Sequence, residues 1–212
     1  MFAAVIVAVL GLAAPALAKS FTLPEARVEV ALLPDGSVAV TEHITFSYDG
    51  DFSGAYRDIP LRRGEAITDV GVSENGVAYQ PGASTVLGSI DSPGRYGVED
   101  RGSVVRVVWH YRASNERRTF TIAYRMTGLA VAYDDVVDVN LRMWGEEWNT
   151  GLESLTATFT YPGAQPTDAV RVWGHPDSVS GETFPVFDGA TPTLAASGIP
   201  ANQWVEMRVV LP

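Results

Sequence analysis

Cysteine is absent from the 212 residues. Its absence excludes disulfides, zinc-thiolate and iron–sulfur sites, and thiol nucleophiles, and leaves stability to packing. Positive charge is scarce: 15 Lys and Arg stand against 25 Asp and Glu, a formal net charge of -10. Nucleic-acid binders need Lys and Arg to displace counterions, so no nucleic-acid partner is expected. Adhesion to anionic lipid through a basic patch is disfavoured for the same reason. The chain also lacks a glycine-rich phosphate loop, a G-x-S-x-G elbow and any H-x-H or H-E-x-x-H spacing. Long amphipathic helices, internal repeats and a Pro/Ser linker are missing too. What is present is a hydrophobic fraction of 46% with 19% charged residues, enough to bury a core.

The N-terminus differs from the rest. Phe2 to Ala18 is an uncharged apolar run of about 17 residues that closes on Ala16-Leu17-Ala18, the small-x-small pattern of a signal-peptidase site. Residues 1–18 read as a signal peptide cleaved before Lys19. The alternative is an uncleaved anchor, against which stand the short run and Pro15. No Lys or Arg precedes the run, so either the terminal amine serves or the true start lies upstream of Met1.

From Arg27 onward the period is two. Arg27–Leu33 and Ser37–Tyr48 flank Pro34-Asp35-Gly36 and read as a hairpin, with Val38, Val40, Ile44, Phe46 and Tyr48 on one face. Thr68–Ser73 and Val77–Tyr79 flank Glu74-Asn75-Gly76, a second hairpin signal. Gln80–Gly102, rich in Gly, Ser and Pro, reads as a long loop. Val104–Arg112 and Arg118–Thr127 read as a third hairpin, with Trp109, Tyr111, Phe120 and Tyr124 inward and Arg106, His110 and Arg112 outward. An apolar run from Ala130 to Trp144, a strand ending at Pro162-Gly163, a short strand at Val170–Trp173 and a closing strand at Trp204–Leu211 complete the pattern. Short strands spaced by turns predict an all-β, mostly antiparallel, immunoglobulin-like sandwich forming one extracytoplasmic domain over residues 19–212.

The chemistry candidates are sparse. Glu146 and Glu147 lie between Trp144 and Trp148, the setting of a sugar-binding acid, but neighbouring residues on a strand face opposite ways and cannot flank one bond. Asp134, Asp135 and Asp138 are weak calcium candidates without the spacing of a full calcium loop. His43, His110 and His175 are scattered, with His43 and His110 facing away from the apolar side, so no transition-metal site is expected. The five tryptophans include candidates for a sugar-stacking platform, against the commoner role of core residues. No catalytic residue and no cofactor is expected.

One residue breaks the strand pattern. Glu42 is in phase with Val38, Val40, Ile44 and Phe46, and a carboxylate facing a core is costly unless paired. Arg57, in Phe52-Ser-Gly-Ala-Tyr-Arg-Asp-Ile-Pro60, is the candidate partner, through a two-pronged hydrogen-bonded pair. The alternative is a bulge that turns Glu42 outward. Ile59-Pro60 would end the segment and send the chain across the sandwich.

These blocks have a recognisable order: DGSVAVTEHITFSYDGDFSGAYRDIPL, ITDVGVSENGVAY, WHYRASNERRTFTIAYRMTGLAVAYDDVVDVNLRMWGEEW, FTYPG and VWGHPD. The order resembles the DUF2207 family of predicted bacterial and archaeal membrane proteins, over about Ala26 to Pro212. The resemblance implies an exported domain followed by transmembrane helices, hence a membrane anchor beyond Pro212. It carries no catalytic residues to transfer. It implies that Glu42, Tyr56, Arg57, Ile59 and Pro60, with Asp58 between them, belong to a motif whose role is structural. The expected function is a non-enzymatic binding or scaffolding domain of the cell envelope, with an envelope protein or glycan as partner. The alternatives are a glycan- or peptide-acting hydrolase and a carbohydrate-binding module.

Overall fold

Alternating burial on successive residues commits the chain to strands, and no helix occurs among the described residues. The computed structural model describes residues 19–163, 169–184 and 191–212. The signal-peptide reading of residues 1–18 lies outside them. The strands are β1 (Ser20–Leu32), β2 (Val38–Asp49), β3 (Asp51–Pro60), β4 (Ala66–Glu74), β5 (Val77–Ala78), β6 (Gln80–Pro81), β7 (Arg95–Asp100) and β8 (Val104–Ser114). They continue as β9 (Arg117–Thr127), β10 (Ala130–Ala132), β11 (Val137–Trp144), β12 (Leu152–Thr160), β13 (Arg171–His175), β14 (Ser180–Phe184), β15 (Thr193–Ile199) and β16 (Val205–Leu211).

Three sheets result. The largest has eight strands in the order β14-β15-β12-β1-β2-β9-β4-β5, and two four-stranded sheets run β3-β8-β7-β6 and β10-β11-β16-β13. The pairing is antiparallel except at β1/β12 and β6/β7, which are parallel. The fold is therefore all-β. A single apolar cluster joins the sheets, with Val40, Phe46, Phe120 and Ile122 from the large sheet, Val107 and Trp109 from β8, and Leu141 and Met207 from β11 and β16.

The first hairpin forms as the Pro-Asp-Gly turn dictates: Gly36 sits at φ 80° and Asp35 Oδ1 accepts from Ser37 N at 3.1 Å. β1 begins earlier than its pattern suggests, at Ser20. A register shift between Thr22 and Glu25 lets the strand carry Pro24. The Asn75-Gly76 turn also forms, both residues at positive φ.

The third hairpin does not form. β8 pairs with β3 and β7, whereas β9 pairs with β2 and β4 in the other layer. Asn115 and Glu116 carry the chain from one sheet to the other. The β2–β3 connection makes the same crossing beside it, and the two connections clasp: Gly50 N donates to Asn115 Oδ1 at 2.8 Å and Asn115 N donates to Gly50 O at 3.3 Å. Trp109 and Tyr111 thus face Phe120 across the core, with ring centroids 5.6 and 4.6 Å apart.

Gln80–Gly102 is not one loop. It contributes β6 and β7, and its irregular part covers the outer face of β8. The carbonyl of Ala83 passes so close over Gly97 that a Cβ there would lie 2.2 Å from the oxygen. Under this cover Val108 and His110 are buried, against the expectation that His110 faces solvent. Its Nε2 bonds the Ser84 carbonyl at 3.3 Å.

Candidate functional site

The segment from Phe52 to Pro60 is strand rather than loop: it makes up most of β3, the edge strand of its sheet, with a register shift between Phe52 and Gly54. Pro60 is tolerated at its end because an edge position needs no donor there. After it the chain returns through residues 61–65 to β4 in the large sheet.

Adjacent strand residues point to opposite faces, so Arg57 and Asp58 do not pair with each other. Arg57 points inward. Its Nε lies 2.9 Å and its Nη2 3.3 Å from the two oxygens of Glu42, the two-pronged arrangement. Both residues are 2% exposed. Tyr124 donates its hydroxyl to Glu42 at 2.7 Å, and Arg57 Nη1 donates to the Asp58 carbonyl at 2.5 Å. Burial is the largest single influence and works against the Arg57 cation, but the charge and hydrogen bonds of Glu42, with smaller contributions from Tyr124 and Glu147, together outweigh it and hold the guanidinium above its ordinary pKa. Burial, reinforced by Glu42, raises the Tyr124 phenol well above its usual range, so it remains a donor.

Asp58 points outward and takes Arg106 of β8 in a bidentate pair at 2.7 and 2.5 Å. The same guanidinium lies 5.0 Å from the ring of Tyr56, which is 37% exposed. Ile59 enters the core.

A cavity of about 130 Å³ opens beside this strand. Its walls are Phe21, Phe46, Tyr48, Phe52, Tyr111 and Trp148, with Tyr56, Arg57, Asp58, Glu147 and Asn149 supplying polar groups. Tyr48 and Tyr111 bond hydroxyl to hydroxyl, and Tyr111 also donates to Gly54 O at 3.2 Å. Burial drives both phenols up in pKa, so neither ionises at neutral pH. Trp148 stacks on Trp144 with centroids 4.7 Å apart and planes 6° from parallel. Residues 145–150 form turns and bends that place Glu147 and Trp148 at the cavity. Glu146 points away and meets Arg142 at 3.1 Å. The two acids thus diverge.

The other candidates disperse. Among the described residues no three His, Cys, Asp or Glu side chains converge as metal ligands. Asp134 and Asp135 are exposed in the connection between β10 and β11, whereas Asp138 lies on β11 and is taken by Arg208 at 2.6 to 3.1 Å. His43 bonds Thr121 Oγ1 at 2.9 Å, and His175 is exposed. Trp109, Trp144 and Trp148 are buried, and the exposed Trp173 is covered by Arg208, 5.5 Å from its ring. No exposed coplanar tryptophan pair exists among the described residues.

The sequence missed the cavity because it is assembled from four separate segments around residues 21, 46–58, 111 and 147–149. The one local signal was Glu147 beside Trp148.

No curated protein sequence matches the chain. Similar solved structures include native yeast LTA4 hydrolase, 10% identical with a TM-score of 0.51, where the match covers 90% of this chain and 29% of that one. An M1 zinc metallopeptidase from Deinococcus radiodurans is 11% identical with a TM-score of 0.47 over 91% of this chain and 42% of that one. The chain thus spans well under half the length of these proteins, and the likeness to the yeast enzyme is one of fold. The family comparison reaches further: residues 22–211 match the N-terminal domain described as a predicted membrane protein, and the chain belongs to that family, DUF2207.

Proposed function

We propose that this is a non-enzymatic binding domain, held on the extracytoplasmic side of a membrane by a segment that follows Pro212. One observation carries the reading. Among the described residues, the aromatic cavity beside β3 holds one acid without an ion-pair partner, Glu147, and no second unpaired acid, nucleophile or histidine lines it. Hydrolysis of a glycoside needs two working carboxylates, and acyl transfer needs a nucleophile with a base in reach. A pocket of aromatic walls with few polar groups is the form of a binding site. The arrangement also uses the sheets as immunoglobulin-like modules do, as a rigid frame for a site built where strands and connections meet.

The export reading rests on the apolar run of residues 2–18, and the tether on the family's description as membrane proteins. Capture with the full-length, membrane-tethered protein from its own envelope tests the proposal. Recovery of a defined envelope protein or glycan, lost when Trp148 is replaced by Ala, is the expected result. Turnover of an envelope glycan or peptide by the purified protein would overturn it in favour of a hydrolase.

A further inference from the structure

The cavity beside β3 is charge-unbalanced. Arg57 is neutralised by Glu42 and Asp58 by Arg106. Glu147 remains: among the described residues it has no ion pair, and its buried Oε2 accepts no hydrogen bond. Arg57 is near enough to sense its charge, yet the hydrogen bonds of that guanidinium go to Glu42 and the Asp58 carbonyl. The walls around this lone negative charge are aromatic.

Two kinds of occupant would satisfy such a site differently. An uncharged apolar group would fill the space and leave a carboxylate desolvated without a partner, which is costly. A cation would pair with Glu147 while the ring faces and edges around it accept its apolar substituents and, where faces are open, its charge. The protein already makes one such contact nearby: Lys19 Nζ stands 5.0 Å from the centroid of the Phe52 ring. Lys19 is not among the cavity's lining residues, so it is no partner for Glu147.

We propose that the cavity is a binding site for an organic ammonium group, a primary or quaternary amine carrying a small apolar body. Its size agrees, since an apolar cavity of about 150 Å³ holds a benzene ring. Glu147 is the counter-ion. Tyr48, Phe52 and Trp148 are aromatic walls, and Tyr56 and Asn149 also line the cavity. This inference rests on the binding reading above and names the ligand class for the same site.

Calorimetric titration of the purified protein with choline, and separately with its uncharged analogue carrying carbon in place of nitrogen, decides it without any variant. Saturable binding of choline, at least about tenfold tighter than the analogue, is expected from one added ion pair or cation–π contact worth about 1.4 kcal/mol. A Glu147→Gln variant with an unchanged melting temperature should lose about the same factor for choline and nothing for the analogue. Titration with a primary amine such as phenethylamine separates a quaternary preference from a general one. Equal binding of choline and its analogue overturns the proposal while leaving a neutral-ligand binding domain intact. Binding of neither overturns it as well, and retained choline affinity in Glu147→Gln removes the assigned counter-ion.

Discussion

The same three side chains occur twice, in two settings. Glu42, Arg57 and Tyr124 join the two layers in the core. Glu74, Arg118 and Tyr79 make a second acid–arginine–tyrosine cluster on β4, β9 and the residue after β5. In each, the arginine grips both carboxylate oxygens and the tyrosine hydroxyl donates to one of them, at 2.7 Å in the core and 2.9 Å in the second cluster. They differ in water. The Glu42 and Arg57 side chains are 3% and 2% exposed, and those of Glu74 and Arg118 are 10% and 22% exposed. They differ also in reach, since the first bridges facing sheets and the second ties neighbouring strands of one sheet. Equal hydrogen bonding should therefore carry unequal energetic weight. Where water can replace a lost partner, the remaining charge is not stranded.

The largest expected effect is in the core. Arg57→Met leaves Glu42 buried with one phenol donor, and should cost about 3–5 kcal/mol in urea unfolding, a large share of a domain's stability. Glu42→Leu combined with Arg57→Met should recover most of that loss, because no charge is then left unpaired. Arg118→Met should cost about 1–2 kcal/mol, between the buried and exposed limits, and a loss equal to that of Arg57→Met would erase the distinction. Tyr79→Phe removes one hydrogen bond and should cost about 1 kcal/mol by the same assay.

Acid separates the second cluster further. Burial works to raise the Glu74 pKa, but the hydrogen bonds of Arg118 and Tyr79 outweigh it and hold the carboxyl below its usual range. Its stabilising contribution is complete above the unfolded carboxylate value of about 4.3 and fades as pH falls through the lower folded value. The stability gap between the wild type and Glu74→Gln should accordingly shrink below about pH 4, read from melting temperatures across pH. The smallest effect belongs to Asp138→Asn, whose partner Arg208 is 45% exposed and whose melting temperature should stay within error.

Legibility in the sequence followed from how local each feature is. Turn chemistry gave Pro34-Asp35-Gly36 and Asn75-Gly76, because Gly at positive φ is a local demand. A phase violation gave Glu42, since one residue in a period-two run suffices to show it, and the first arginine after it in the chain gave Arg57. Period two could not separate a hairpin from a crossing. Inward residues of β8 and β9 show the same alternation whether they lie side by side in one sheet or face each other across two. Strands β14 and β15, SGETF and TLAASGI, went unread because small residues weaken both β-propensity and period. His110 was misplaced because the cover over β8 comes from a distant segment that has no period of its own. The cavity had no local mark beyond Glu147 and Trp148.

A double-mutant cycle on Glu42 and Arg57, with Gln and Met as replacements and urea unfolding as the measure, tests the link between the layers most directly. A coupling energy of about 2 kcal/mol or more is predicted for a desolvated, two-pronged pair in this range of interaction energies. Coupling below about 0.5 kcal/mol, the range of independent sites, would contradict it.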